Sequence, residues 1–111
     1  MASAQFKVGE SYRNGEGVVQ DNKAAVKWYT LAAEQGKAGA QVNLGIMYAK
    51  GQGVIKDYVY AHMWGNIGNS NGNEGGKKIM ELLLKQGMTP SQIEKAQDLA
   101  RECVKKNYKG C

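Results

Sequence analysis

Apolar and small residues recur along the chain at the three- and four-residue spacing typical of amphipathic α helices. Two such series, separated by a polar and glycine-rich stretch, occupy the first third of the chain: Ala4, Val8 and Tyr12, then Ala25, Trp28 and Ala32. Both series return further along as Ala40, Leu44 and Tyr48, then Ala61, Trp64 and Gly68. The pattern predicts pairs of antiparallel helices joined by short turns.

The two parts of this pattern are related by a fixed offset of 36 residues without a gap. The offset superimposes rare residue types, including Gly15 on Gly51, Gly17 on Gly53, Asp21 on Asp57 and Trp28 on Trp64. A period in the thirties indicates a helical solenoid. The sequence therefore predicts one all-α domain over 1–111, an α/α superhelix of about six helices, with repeats at 3–37 and 38–73 and a degenerate third unit at 74–111.

Residues with defined local roles mark the predicted helix ends. The segments Gly15-Glu16-Gly17-Val18 and Gly51-Gln52-Gly53-Val54 end the first helix of each repeat, because glycine adopts the left-handed conformation of a C-terminal cap. Asp21 and Asp57 are expected to be N-caps of the second helices. A third first-type helix is expected from Gly75-Gly76 to about Gln86. The capping box Thr89-Pro90-Ser91-Gln92 then starts an atypical last helix, which covers the end of the array.

Composition and charge narrow the function classes. The chain has 15 glycines in 111 residues, about twice the average usage of ~7%, and ten of them form five pairs at the repeat offset. Most of the net charge of +5 comes from residues 77–111. These basic residues are expected to form either a solvated face or a surface that binds an acidic partner. These basic residues have no accompanying aromatic platform, so nucleic-acid binding is disfavoured. Neither a membrane span nor a signal peptide is visible.

The second repeat carries a recognisable motif, Ala40-Gln41-x-x-Leu44-Gly45-x-x-Tyr48-x-x-Gly51-x-Gly53-Val54-x-x-Asp57-Tyr58-x-x-Ala61-x-x-Trp64, which is closed by Gly72. It resembles the Sel-one-like repeat (SLR), a relative of the tetratricopeptide repeat, and the first repeat matches even more fully. The pattern is broken at Gly65, Gly68 and Asn69, where a weakened helix is expected. The resemblance implies a superhelix whose first-type helices line a concave surface that binds proteins or peptides without a cofactor.

Cys103 and Cys111 are the only cysteines, eight residues apart near the C-terminal end. If the last helix ran through Cys111, the two Cα atoms would be ~12 Å apart, too far for a disulfide. If the helix ended near Asn107 and the chain folded back, the bond could close. The spacing alone leaves both alternatives open. Some bacterial proteins that share the resemblance cross-link helices through cysteines spaced in this way, which favours the bond and a periplasmic or secreted setting.

The sequence contains no metal-binding cluster and no nucleophile paired with a base. His62, the only histidine, aligns with Val26 and is expected to be structural. The leading hypothesis is a non-enzymatic interaction module. Its partner-binding residues on first-type helices are Phe6, Lys7, Glu10, Arg13, Asn43, Ile46 and Lys50. The alternatives are a weak hydrolase of cell-wall or β-lactam substrates and self-stacking through the uncapped first unit.

Overall fold

The computed structural model describes all residues from 1 to 111 and contains six α helices and no strand. The helices follow one another as three pairs: α1 (Ala2–Asn14) with α2 (Asn22–Ala33), α3 (Ala38–Lys50) with α4 (Tyr58–Ser70), and α5 (Gly75–Lys85) with α6 (Pro90–Lys105). Each helix of the first two pairs packs on its successor, and α4 also contacts α5 and α6. The predicted all-α repeat architecture is confirmed.

The helix ends lie where the local sequence signals place them. Gly15 and Gly51 close α1 and α3 with φ values of 70° and 67°, in the left-handed region that glycine adopts without strain. The Asp21 carboxylate accepts from the Ala24 backbone N–H at 3.2 Å, and Asp57 caps α4 in the same way. At the start of α6, the Thr89 hydroxyl accepts from the backbone N–H of Gln92, whose side chain accepts in return from the Thr89 backbone N–H.

The α4 helix is continuous across Gly65 and Gly68, although the sequence suggests a weakness there. Gly65 lies where the α4 and α5 backbones nearly touch, and Gly68 lies against α3. A Cβ atom on Gly76 of α5 would overlap the carbonyl oxygen of Gly65, and a Cβ on Gly68 would lie 2.6 Å from a methyl group of Val42. The missing side chains therefore allow close helix packing, and this packing stabilises α4 where its helix propensity is low.

The core consists of two adjoining clusters. One joins α2, α3, α4 and α6, and the other joins α3, α4, α5 and α6. Trp64 is buried as predicted for a repeated core position, whereas its counterpart Trp28 is only half-buried. The difference arises because α4 has helices on several sides, while α2 contacts only α1 and α3 extensively. For the same reason Ala4 is exposed and its counterpart Ala40 is fully buried.

The C-terminal tail, residues 106–111, folds back beside α6. The helix ends at Lys105, and Asn107 and Tyr108 then adopt left-handed φ values of 54° and 66°, which reverse the chain. This reversal brings the Cys103 and Cys111 Cα atoms to 5.6 Å and allows the disulfide between them. Of the two alternatives that the spacing leaves open, the structure has the folded-back chain with the bond.

The tail also contacts the end of the first repeat. The Tyr108 ring lies against Gly36, the Lys109 ammonium donates to the Glu34 carbonyl at 3.1 Å, and the Gly110 backbone N–H donates to the Glu34 carboxylate at 3.3 Å. The Tyr108 hydroxyl also lies 3.3 Å from the Asn71 side chain, just beyond α4. The third unit is thereby connected to both preceding units.

Candidate functional site

Three helices, α1, α3 and α5, occupy equivalent places in successive units, and the predicted partner-binding residues lie on the first two of them. We call the solvent-facing side chains of these helices the first-helix surface. Positions 7, 10 and 14 of α1 correspond to 43, 46 and 50 of α3, because each set is shifted by 36 residues. The next shift leads to 79 and 82 of α5 and to 86, the residue just after it. The structure divides the predicted residues between two regions of this surface.

The first region surrounds the hydroxyl group of Tyr29. This side chain is fully buried, its ring packs on Gly9 of α1, and its hydroxyl has no hydrogen-bond partner. Burial raises the pKa of Tyr29, and the nearby Arg13 guanidinium opposes that rise. Glu10 and Asn43 also lie close enough to influence the hydroxyl. Three of the predicted residues therefore come together where α1 meets α3.

Phe6 has a packing role in the same region. Its ring lies 5.8 Å from the Tyr29 ring, centre to centre, and closes over Gly39 at the start of α3. The Lys37 ammonium stands 5.6 Å from the centre of the Phe6 ring, within cation–π range. Phe6 is half-buried and adds to the core, so much of its area is already used in holding α1 against α3. Lys7, one position further along α1, is exposed.

The second region is a groove between α3 and α5, which we call the α3–α5 groove. It encloses about 280 Å³ and is lined by Ile46, Ala49, Lys50, Ile79, Leu82 and Gln86. Two of these residues, Ile46 and Lys50, belong to the predicted set. Leu82 keeps 47% of its surface exposed, and Gln86 is fixed by a 2.6 Å hydrogen bond from the Tyr58 hydroxyl. The groove therefore combines an accessible apolar wall with polar and cationic groups at its end.

The α5 side of this groove is absent from the predicted set. Ile79, Leu82 and Gln86 are the 36-residue counterparts of Asn43, Ile46 and Lys50, so the repeat offset already contained the signal. The apolar pattern of the repeat decays in the third unit, so these three positions do not stand out as counterparts of the α3 residues. Extending the offset through the degenerate unit would have identified all three.

Cationic side chains on the first-helix surface have no carboxylate partners. The two ion pairs in the chain, Arg101 with Asp98 and Lys105 with Glu102, both lie within α6. Lys7, Arg13 and Lys50 make no such pair, and Glu10 is the single carboxylate in the predicted set. The predicted set therefore carries three cations and one carboxylate, and none of them forms an ion pair.

A second and larger groove lies between α4 and α6. It encloses about 610 Å³, has Ile67, Ala100 and Val104 as apolar lining, and carries Arg101 and Lys105. None of the predicted binding residues lines it. This α4–α6 groove has a mixture of apolar and cationic residues similar to that of the α3–α5 groove, but on different helices.

His62 is buried in the fold, and the two cysteines are bonded to each other. His62 is 4% exposed, its Nδ1 atom has no hydrogen-bond partner, and burial lowers its pKa. Cys103 is bonded to Cys111, so its sulfur is not a free thiol.

No group of three or more His, Cys, Asp or Glu side chains is arranged to hold a metal ion. No helix has the length and apolar character needed to cross a membrane.

Comparisons with known proteins agree with the repeat pattern. The family model of the Sel1 repeat matches residues 2–37 and 38–73. A protective antigen of uropathogenic Escherichia coli with an SLR fold, c5321, has a TM-score of 0.89 and 33% identity, over 97% of this chain and 24% of that one. A Sel1 repeat protein from Oxalobacter formigenes has a TM-score of 0.71 and 40% identity, over 73% of this chain and 61% of that one. No curated protein matches the chain significantly.

Proposed function

The chain belongs to the Sel1 repeat family, and from this premise we propose that it binds a protein or peptide on its first-helix surface. Proteins with this repeat generally take part in protein–protein interactions and are typically non-enzymatic scaffolds. The chain spans about a quarter of one similar protein and less than two thirds of the other, so their whole functions do not transfer to it.

The observation that carries the proposal is the open α3–α5 groove beside the polar residues around Tyr29. An apolar side chain of a partner can lie against Ile46 and Leu82, where it would remove exposed Leu82 surface from water. Arg13 and Asn43 supply hydrogen-bond donors near the neighbouring helix junction. Interfaces of this kind draw most of their affinity from a few apolar anchors and charge-assisted hydrogen bonds.

A matched pair of double variants tests the proposed surface. Arg13→Ala combined with Asn43→Ala removes two polar groups beside the α1–α3 junction. Arg101→Ala combined with Asn66→Ala removes the same two residue types from the α4–α6 groove. We expect the first double variant to lose capture of the partner isolated with the wild-type protein, and the second to retain it. Equal capture by all three proteins would refute the assignment, provided that far-UV circular dichroism shows native helix content.

Self-association through the first repeat is a second candidate function, because two of its positions are less buried than their counterparts in the second repeat. Ala4 is exposed and Trp28 half-buried, while their counterparts Ala40 and Trp64 are buried. A second copy covering α1 would bury the same positions. Sedimentation of the wild type and of Ala4→Glu distinguishes the candidates: a concentration-dependent dimer that the substitution dissolves supports self-association, and a monomer at all concentrations excludes it. No feature of the structure favours the hydrolase alternative, whose one candidate base, His62, is enclosed.

A further inference from the structure

The C-terminal tail contacts both connections between successive units. Residues 34–37 join α2 to α3, and residues 71–74 join α4 to α5; we call these segments the inter-unit turns. The tail bonds to Glu34 in the first turn and reaches Asn71 in the second. No helix of the first repeat packs extensively on a helix of the third unit. The tail is therefore the main link between these two units.

A series of hydrogen bonds connects the tail to the interior. The Tyr108 hydroxyl lies 3.3 Å from the Asn71 side chain, and the Asn71 amide donates to the Gln41 side-chain oxygen at 2.8 Å. Gln41 is fully buried, and its own amide donates to the Ala33 carbonyl, at the end of α2, at 3.1 Å. Removing Tyr108 from this series takes away an outer partner of Asn71. The position of the tail therefore affects a polar network that joins α2, α3 and the second inter-unit turn.

The disulfide is the strongest restraint on the tail. Asn107 and Tyr108 have left-handed φ values, which a bulky residue such as tyrosine adopts only where its surroundings impose them. The bonds from the tail to Glu34 lie at exposed positions, where water competes for the same groups. A cavity of about 70 Å³, lined by both cysteines, remains between the tail, α4 and α6. Without the disulfide, release of the tail relieves its backbone and increases its conformational entropy.

The two bonded sulfur atoms differ in accessibility. Cys103 is 2% exposed, whereas Cys111 is half-buried. A thiolate reduces a disulfide by attacking one sulfur and expelling the other. Attack on Cys111 forms a mixed disulfide there, and the Cys103 sulfur leaves as a thiolate that takes up a proton. The second thiol of a dithiol reductant then displaces Cys111, so the reductant becomes a disulfide and the chain gains two electrons and two protons.

We propose that the Cys103–Cys111 bond is a redox switch: a dithiol reductant opens it by attack on Cys111, and the tail then leaves both inter-unit turns while the six helices stay folded. The buried residues of both core clusters lie between residues 25 and 103, outside the tail, so the core does not need it. Reduction therefore frees the first repeat to move relative to the third unit. This inference goes beyond the proposed function and does not depend on it.

Backbone relaxation measured by NMR on the isotope-labelled protein tests the release of the tail. Four samples are compared: the oxidised wild type, the wild type reduced with dithiothreitol, Cys111→Ser, and oxidised Lys109→Ala. We expect order parameters of residues 107–111 to fall from about 0.85 to below about 0.6 in the reduced and Cys111→Ser proteins. Lys109→Ala loses a bond to Glu34 and keeps the disulfide, so its tail should stay ordered.

Amide hydrogen exchange tests the effect on the inter-unit turns. The backbone N–H groups of Lys37 and Asn73 donate to the last turns of α2 and α4, to Ala32 and Gly68. We expect both to exchange at least about fivefold faster after reduction. The Asp57 amide is the control, because it bonds to the Tyr48 carbonyl within the second repeat, where the tail makes no hydrogen bond. Its exchange should stay within about twofold.

A monothiol tests the point of attack. Glutathione stops at the mixed disulfide, and N-ethylmaleimide then blocks the thiol that was expelled. We expect fragmentation mass spectrometry to find glutathione on Cys111 and the maleimide on Cys103. The opposite distribution would overturn the assignment of Cys111 as the sulfur that is attacked.

The remaining outcomes also decide the inference. A tail that stays ordered after reduction would overturn the switch, as would a tail that Lys109→Ala frees in the oxidised protein. Loss of the far-UV helical signal on reduction would show that the bond supports the whole fold, which also overturns it. Release of the tail without faster exchange at Lys37 and Asn73 would overturn its control of the inter-unit turns. None of these results bears on partner capture, which the Arg13 and Asn43 substitutions test separately.

Discussion

Replacing Cys111 with serine removes the disulfide that holds the C-terminal tail to α6. The bond closes a loop between residues eight apart. Closing a loop of this length in the unfolded chain contributes about 2.5 kcal/mol to the free energy of unfolding on the chain-entropy description. The tail's hydrogen bonds to Glu34 lie at an exposed site and add about 1 kcal/mol at most. Most of the effect therefore comes from the bond itself.

For a domain of 111 residues, a loss of about 2.5 kcal/mol lowers the melting temperature by about 10 °C. The assay is thermal unfolding followed by far-UV circular dichroism on the oxidised wild type, the reduced wild type and Cys111→Ser. We expect the last two to melt together and below the oxidised protein. Reductant should leave the melting temperature of Cys111→Ser unchanged, which provides the internal control.

Tyr108→Ala separates the bond from the tail contacts, because it keeps the disulfide and removes the ring that lies against Gly36. This variant should lose clearly less stability than Cys111→Ser. If the oxidised and reduced wild-type proteins melt within about 2 °C of each other, the loop-closure reasoning is refuted. If Tyr108→Ala costs as much as Cys111→Ser, the tail contacts dominate and the bond only supports them.

Two further predictions concern the contact of α5 with α4 and a buried residue of α4. Gly76→Ala should lower the free energy of unfolding by about 3 kcal/mol or more in urea titrations, because its Cβ overlaps the Gly65 carbonyl oxygen, and the gain of about 1 kcal/mol in helix propensity is smaller. For His62, burial lowers the pKa below the ordinary 6.5, so the unfolded chain binds a proton that the folded chain excludes as pH falls. Stability should therefore decline as pH falls through the ordinary histidine pKa of about 6.5, and His62→Val should flatten this decline.

Each of these predictions has a control in the chain. Gly75→Ala changes the neighbouring helical glycine, whose Cβ would meet side-chain atoms of Asn73 and Val42 at 3.0 and 3.1 Å, so the cost should be smaller than for Gly76→Ala. Equal costs would contradict the backbone-contact explanation. Valine is the residue of the first repeat at the position of His62, which makes it a natural replacement. An unchanged pH slope in His62→Val would contradict the role assigned to burial.

Local signals account for the accuracy of the sequence-based helix boundaries. Asp21 and Asp57 form caps with backbone groups three residues away, and Thr89 does the same with Gln92, so a short stretch of sequence contains the whole interaction. The period of 36 residues then fixes how many helix pairs exist. These features could be predicted because each depends on neighbours in the chain or on a repeated offset.

Contacts between distant residues account for what the sequence did not reveal. Gly65 breaks the repeat pattern, and only the approach of Gly76 and Ile79 explains why its helix remains intact. Trp28 has the same residue type as Trp64 and a different burial, because its position in the array differs. Leu82 forms a groove wall only through the packing of α5 against α3. Of the predicted binding residues, Ile46 and Lys50 line that groove, and their role in binding stays a prediction.

The contact between the tail and Glu34 joins residues 75 and 76 positions apart in the chain. In an array whose units contact only their immediate neighbours, each end can unfold while the rest stays folded. Here the third unit contacts the first as well as the second, so opening either end also breaks contacts at the other. This chain therefore couples the unfolding of its two ends by about 1 kcal/mol at most. It should also fold more slowly than an open array of equal length, because distant parts must meet before the ring of contacts is complete.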